Sequence, residues 1–141
     1  MAKKSIFISF DYENDKHYKF LLTALSANPR FDISFNDKSA SEIKSSEIPV
    51  VKAGLTRKIN AASYTLCIIG QYANTRHKDA IEIGSKNWIN FEIQQSKKNG
   101  NKLIAIKIDS TYTSPDEILN SGATWAMSFT EAAITKALDE A

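Results

Sequence analysis

The stretch Tyr64-Thr65-Leu66-Cys67-Ile68-Ile69 is a run of apolar and β-branched residues that stops at Gly70. A short run of this kind, bounded by a glycine, is typical of a strand that is buried on both faces of a sheet. Two similar runs, residues 5–10 and 103–108, lie on either side of it along the chain. Helical patterns separate the three runs, and buried strands that alternate with helices predict an α/β fold with a parallel sheet.

Four helices and two weaker strands are predicted around these runs. Apolar residues recur at helical spacing, and the residue before Pro29 disfavours continuation of the first helix. The helices are predicted over 18–28, 49–59, 86–99 and 131–138. The weaker strands are predicted over 31–35 and 124–129. The connection between the last two strands, around residues 116–120, has the least regular pattern. Together they predict a flavodoxin-like, three-layer sandwich with a five-stranded parallel sheet of order 2-1-3-4-5 and helices on both faces.

The composition is typical of one compact domain, which we expect to cover residues 1–141. Of the 141 residues, 43% are apolar, and the formal net charge of +2 does not indicate a nucleic-acid-binding surface. Cys67 is the only cysteine, which excludes an internal disulfide and a cysteine-rich metal cluster. No apolar segment approaches the roughly 20 residues that span a bilayer. We therefore expect a cytoplasmic protein that binds neither membrane nor nucleic acid.

The fold class predicts where a ligand binds. In open parallel sheets the ligand crevice lies beyond the carboxyl ends of the strands, where the strand order reverses. Three predicted loops face this crevice: residues 11–15, 36–48 and 71–85. They contain no glycine-rich phosphate motif, so classical dinucleotide dehydrogenases and NTPases are excluded. A phospho-accepting receiver domain would have an aspartate at the end of the third strand, where this chain has Gly70-Gln71. His17 and His77 do not have the spacing of metal ligands. We therefore predict two surface histidines and no metal site.

The stretch Trp88-Ile89-Asn90-Phe91-Glu92-Ile93 places an acid within an apolar helix face. Glu92 follows Trp88 by four residues and so lies about 40° from it around the helix. A half-buried acid needs a physical reason, and two interpretations remain open. Glu92 either pairs with a lysine such as Lys52 or Lys58 at the margin of the stripe, or it stands in the crevice and acts on a ligand.

Two motifs of the chain resemble those of Toll/interleukin-1 receptor (TIR) domains. Ile6-Phe7-Ile8-Ser9-Phe10 is similar to the first-strand box of that family, and Trp88-x-x-x-Glu92 is similar to its tryptophan and glutamate pair. The stretches 11–18 and 87–93 resemble the bacterial TIR-like branch that includes the Thoeris anti-phage protein ThsB. The resemblance covers nearly the whole chain. It differs from receptor-type TIR domains after the second strand, where residues 36–40 replace their Arg-Asp-x-x-Pro-Gly loop.

The resemblance implies cleavage of the nicotinamide–ribose bond of NAD⁺, with NAD⁺ as substrate and no further cofactor. The matched glutamate, Glu92, is then the catalytic residue. Ordinary glycosidases need a second carboxyl group to protonate the leaving oxygen, whereas nicotinamide leaves as a neutral molecule, so one carboxylate suffices. The resemblance further implies substrate-binding positions in the strand-end loops and beside the catalytic glutamate: Ser9, Phe10, Asp11, Tyr12, Asp37, Lys38, Tyr72, Asn74 and Trp88.

The expected product is a nucleotide derived from ADP-ribose, linear or cyclic, that activates a separate effector protein in anti-phage defence. The family also allows self-association. Two alternatives from other classes remain: a non-catalytic TIR-like interaction module, and an enzyme similar to nucleoside deoxyribosyltransferases, which act through a glutamate and a covalent glycosyl intermediate. Release of nicotinamide from NAD⁺ distinguishes the first interpretation from both alternatives.

Overall fold

A parallel β-sheet forms the centre of the molecule. The computed structural model describes residues 4–26, 33–36 and 47–141. Within them the strands lie in the order β2-β1-β3-β4-β5, and every neighbouring pair is parallel. The predicted α/β fold with a parallel sheet is confirmed. The strands are β1 (Lys4–Ser9), β2 (Ile33–Asn36), β3 (Tyr64–Ile69), β4 (Lys102–Lys107) and β5 (Thr124–Ala126).

The helices begin and end at local features of the sequence. Pro49 lies in the first turn of α2, where its missing N–H is not needed. Asn87 caps α4, because its side chain accepts a hydrogen bond of 2.9 Å from the backbone N–H of Asn90. Gly100 ends α4 with φ +77. No helix in the described segments has the length and apolar character that crossing a membrane requires. The helices are α1 (Tyr12–Ser26), α2 (Ile48–Asn60), α3 (Ala80–Ile83), α4 (Trp88–Asn99) and α5 (Glu131–Glu140).

Apolar side chains cover both faces of the sheet. On one face, Leu22 of α1 and Ile134 of α5 pack into a cluster with side chains of β1, β3 and β4. On the other face, Ile89 and Ile93 of α4 pack on Cys67 and its neighbours, and α2 covers β1. The sheet thus lies between two helical layers. This packing holds α4, which carries Glu92, against β1 and β3.

Several elements differ from their predicted bounds. Most of the predicted loop 11–15 is helical, because α1 begins at Tyr12 rather than at residue 18. The predicted loop 71–85 contains the short helix α3, and α4 begins at Trp88 rather than residue 86 because Asn87 is its cap. The crossover from β4 to β5 has only a 3₁₀ turn, Asp116–Ile118, and β5 ends at Ala126 rather than residue 129. Ile118 of this turn is nevertheless buried in the cluster that contains Cys67 and Ile89. The predicted end of the first helix and residues 37–46 of the predicted loop lie outside the described residues.

Candidate active site

The Glu92 carboxylate lies inside the protein. Its helix α4 turns it towards the sheet, and only 2% of its surface is exposed. One oxygen, Oε1, accepts a hydrogen bond of 2.8 Å from the hydroxyl of Ser9 at the end of β1. The other oxygen, Oε2, is buried and has no hydrogen-bond partner in the described part of the chain. Buried polar atoms in native proteins are nearly always paired, so Oε2 is a polar atom that a ligand can satisfy.

Burial also decides the protonation state of Glu92. It raises the pKa of this carboxyl group to about 8, and the hydrogen bond from Ser9 opposes part of the rise. At neutral pH the side chain is therefore mostly protonated in the free protein. A positive charge beside it would favour the carboxylate form and lower its pKa again.

The ion pair predicted for Glu92 does not form. Among the described residues, no lysine or arginine forms an ion pair with its carboxylate. The ammonium group of Lys52 lies instead over the ring of Phe91, with 5.4 Å between Nζ and the ring centroid. The interpretation of Glu92 as a surface partner of Lys52 or Lys58 is therefore wrong.

Glu92 lines a cleft of about 740 Å³ at the carboxyl ends of the strands. This volume lies within the range of small-molecule and cofactor sites. The segment after β1, the loop after β3 and the first turn of α4 all contribute to its walls. Six of the residues that the sequence predicts for the site line this cleft: Phe10, Asp11, Tyr12, Tyr72, Trp88 and Glu92.

The four other predicted site residues are placed elsewhere. Ser9 is fully buried and lies behind Glu92, so it holds the acid instead of lining the cleft. Asn74 does not line the cleft either, because its amide bonds to Asn90 and to Asp116 and joins α4 to the 3₁₀ turn. Asp37 and Lys38 lie outside the described residues.

Aromatic rings lie near the catalytic candidate. The rings of Trp88 and Phe91 meet edge to face, with 5.7 Å between their centroids. In the segment after β1, the centroids of the Phe10 and Tyr12 rings are 6.1 Å apart. Of these four residues, Phe10, Tyr12 and Trp88 line the cleft. Aromatic rings in a cleft bind planar heterocycles well, because stacking adds to the burial of apolar area.

Several cleft residues were not predicted from the sequence. The loop after β3 contributes Arg76, His77, Lys78 and Asp79, and Asn87 contributes from the start of α4. The prediction that His77 is merely a surface histidine missed its place in the cleft wall. The run Arg76-His77-Lys78, in a loop already predicted to face the crevice, is the sequence feature that could have identified this wall.

A second buried carboxylate, that of Asp15, lies near the same strand ends but outside the cleft. Asp15 is 6% exposed, and its Oδ2 has no hydrogen-bond partner among the described residues. Burial raises its pKa to about 6, the charge of Asp11 adds to the rise, and His17 opposes it. The carboxylate packs against Gly70, where a Cβ atom would overlap it. Gly70 thus provides the space that this acid occupies.

Comparison with known proteins identifies a family for most of the chain. A family model for the TIR-like domain of the Thoeris protein ThsB matches residues 7–113, which is more than half of the sequence. No curated protein matches the chain significantly.

Solved structures share the fold at low sequence identity. A prokaryotic SEFIR domain is 16% identical, with a TM-score of 0.53, over 98% of this chain and 95% of that one. The TIR domains of the activated Roq1 resistosome, which recognizes the effector XopQ, are 14% identical with a TM-score of 0.49; the match covers 76% of this chain and 60% of that chain's length. The response regulator StyR is 13% identical, with a TM-score of 0.44, over 99% of this chain and 59% of that one. At these identities the comparison with the SEFIR domain speaks for the fold alone.

Proposed function

Because the chain belongs to the family of TIR-like domains of the Thoeris protein ThsB, we propose that it cleaves the nicotinamide–ribose bond of NAD⁺. The observation that supports this most strongly is the state of the Glu92 carboxylate. Ser9 fixes one oxygen, the other is buried and unpartnered, and the residue itself lines the cleft. A group in that state is suited to bind a ribose hydroxyl and to oppose positive charge on the sugar.

The chemistry needs only one acid. When the C1′–N bond breaks, its electron pair goes to nicotinamide, which leaves as a neutral molecule, and positive charge remains on the ribose. The Glu92 carboxylate lowers the energy of this transition state, and a preorganised group of this kind contributes about 3 kcal/mol. Water then bonds to C1′ and loses a proton to give ADP-ribose, whereas attack by a hydroxyl of the substrate itself gives a cyclic product.

The raised pKa of Glu92 fits a cationic substrate. The carboxyl group is mostly protonated in the free protein, because its pKa is raised to about 8. The positive nicotinamide ring of NAD⁺ would favour the carboxylate when the substrate binds. Substrate binding and formation of the active carboxylate are then coupled. Trp88 and Tyr12 line the cleft, and stacking of their rings on the planar rings of the dinucleotide would add to its binding.

The product would act as a signal. We propose that it is an ADP-ribose-derived nucleotide, linear or cyclic, that activates a separate effector protein during anti-phage defence in the cytoplasm. Self-association of the domain would be compatible with this role. These proposals rest on membership of the ThsB TIR-like family.

The direct test is incubation of the purified protein with NAD⁺, followed by chromatography for nicotinamide. Wild-type protein should release nicotinamide, and Glu92→Gln should not, because it keeps the size of the side chain and removes its charge. Glu82→Gln is a matched control, since Glu82 is exposed on α3 and does not line the cleft. The same assay is repeated with protein from phage-challenged cells, so that an enzyme that needs a trigger is also detected.

The assay also separates the two alternative functions. Cleavage of nucleosides but not of NAD⁺ would favour an enzyme similar to nucleoside deoxyribosyltransferases. Absence of nicotinamide in both preparations would favour a non-catalytic interaction module. Equal nicotinamide release by wild-type protein and by folded Glu92→Gln would reject the assignment of Glu92.

A further inference from the structure

Three consecutive side chains after β3, those of Arg76, His77 and Lys78, line the same cleft as Glu92. Arg76 and Lys78 are exposed, and neither forms an ion pair within the described segments. Both cations are therefore available to a ligand in the cleft. The proposed cleavage chemistry at Glu92 does not use them.

The backbone of this basic segment, residues 76–78, is held in place. The side-chain amide of Asn87 donates to the carbonyl oxygens of Ala73 and Thr75 at 2.9 and 3.0 Å. The backbone N–H of His77 donates to the carbonyl oxygen of Lys86 at 2.8 Å. Asn87 also caps α4, so one residue joins the basic segment to the helix that carries Glu92. A ligand held by the basic segment is thereby held relative to Glu92.

His77 presents a hydrogen-bond donor. Its Nδ1 accepts the backbone N–H of Asp79 at 2.9 Å, so the neutral ring carries its proton on Nε2. The ring also meets Trp88 edge to face, with 6.4 Å between the centroids. The segment thus combines a guanidinium group, an ammonium group and an imidazole N–H, all of which donate to anionic oxygens.

The cleft wall carries side chains of both charges. The acids Asp11 and Glu13 lie where α1 begins, whereas Arg76 and Lys78 lie in the loop after β3. Asp79 is the one acid within that loop, and its carboxylate lies 3.9 Å from Nδ1 of His77. A ligand with an anionic group and a cationic ring fits this distribution better than a neutral nucleoside does.

We propose that Arg76, His77 and Lys78 form a binding subsite for the diphosphate of a dinucleotide, which directs the cationic nicotinamide end towards Glu92. The identity of the substrate in this proposal rests on the proposed function. The subsite accounts for specificity: a nicotinamide riboside, which lacks phosphate, gains nothing from these side chains. Contacts to the diphosphate are the same in the bound substrate and in the transition state, so they lower KM and leave kcat nearly unchanged.

The kinetic test compares two double variants with equal loss of charge. Arg76→Ala/Lys78→Ala removes the two cleft cations, and Lys98→Ala/Lys136→Ala removes two exposed cations outside the cleft. The first variant should raise KM for NAD⁺ about tenfold or more, as expected for loss of charge-assisted hydrogen bonds, with kcat within about twofold. The control variant should match the wild type. For nicotinamide riboside, both variants should match the wild type. An unchanged KM for NAD⁺, or an equal rise for the riboside, overturns the subsite.

A binding measurement separates this proposal from the proposed function. By calorimetry, ADP should bind wild-type protein more tightly than adenosine, and Arg76→Ala/Lys78→Ala should abolish the difference while the control variant keeps it. If no nicotinamide is released but this pattern appears, the proposed function fails and the subsite stands. If nicotinamide is released but ADP binds no better than adenosine, the subsite fails and the proposed function stands.

Discussion

Two buried carboxylates approach the carboxyl ends of the same strands, but only one of them reaches the cleft. Glu92 of α4 and Asp15 of α1 each have one oxygen without a hydrogen-bond partner among the described residues. Both lie close to β3: Glu92 bonds to Ser9, which pairs with Cys67, and Asp15 packs on Gly70 directly after the strand. Burial, and then the charges of Glu92 and Asp15, raise the pKa of the Cys67 thiol. Glu92 lines the cleft and is fixed by Ser9, whereas Asp15 packs against Gly70. Burial and an unpartnered oxygen are therefore shared by both acids, whereas access to the cleft and a fixed orientation distinguish Glu92, the proposed catalytic acid.

The strongest test of this comparison neutralises each acid in turn. Glu92→Gln should lower the rate of nicotinamide release at least about 100-fold, because a preorganised charge opposite the transition state contributes about 3 kcal/mol. Asp15→Asn should change the rate by less than about threefold, since Asp15 does not line the cleft. Both are measured with saturating NAD⁺ on protein of verified fold. Equal losses in the two variants would break the distinction between the acids.

The next largest effect concerns stability at the Asp15 position. A Cβ atom at Gly70 would overlap the Asp15 carboxylate, so Gly70→Ala should reduce the free energy of unfolding by about 1–3 kcal/mol. Adding Asp15→Ala to Gly70→Ala should recover part of the loss, because it removes the overlapping group. Urea unfolding of the two variants and the wild type measures both effects. A Gly70→Ala protein as stable as the wild type would show that this packing is not tight.

A third prediction concerns the orientation of Glu92. Its pKa is raised to about 8, so kcat/KM of the wild type should rise with pH through this value as the carboxylate forms. Ser9→Ala removes the hydrogen bond that opposes the rise, and should move the profile to higher pH. At pH 7.5, loss of a hydrogen bond to a charged group should lower kcat/KM about tenfold.

Ser5→Ala in the same strand is the control for this variant, because the Ser5 hydroxyl donates to the carbonyl oxygen of Ala61 and not to Glu92. Its pH profile should coincide with that of the wild type. A Ser9→Ala profile that is lower but not displaced along the pH axis would assign Ser9 a purely structural role.

The sequence predicted the elements whose signals are local. The wholly apolar run of β3 and the glycine after α4 placed these elements within one or two residues. The same patterns predicted the strand order 2-1-3-4-5, and the sheet is β2-β1-β3-β4-β5. Helical spacing from Trp88 placed Glu92 within the apolar face of α4 but left open whether it lies at the margin of that face or in the crevice; in the structure only 2% of it is exposed.

Features that depend on contacts between distant segments escaped prediction. The hydroxyl of Ser9 and the carboxylate of Glu92 are 83 residues apart in sequence. Asp15 is buried because Gly70 has no side chain and leaves space for its carboxylate. The apolar periodicity of the sequence does not reveal this, since Asp15 belongs to a polar stretch. Asn74 was predicted for the site, since it follows β3, but its bonds to Asn90 and Asp116 turn it to a structural role. Neighbours in space decide these cases.

The smallest expected effect is the pH dependence of stability from Asp15. Its pKa is raised from 3.8 to about 6 by burial, so the folded protein binds more protons than the unfolded chain between these values. This contribution to stability is full below pH 3.8 and is lost as pH rises through about 6. Relative to Asp15→Asn, the melting temperature of the wild type should therefore fall between pH 4 and 6.5. Calorimetric scans at several pH values measure it, and a constant difference would contradict the raised pKa.

The most direct test of the distinction between the two acids is a carboxyl ¹³C NMR titration of Glu92 and Asp15, with and without a carbocyclic NAD⁺ analogue that cannot be cleaved. In the free protein, the two groups should titrate with pKa values of about 8 and about 6. When the cationic analogue binds, the pKa of Glu92 should fall, and that of Asp15 should stay in place. A Glu92 resonance whose titration is unchanged by the bound analogue would contradict the proposal that this carboxylate faces the nicotinamide riboside.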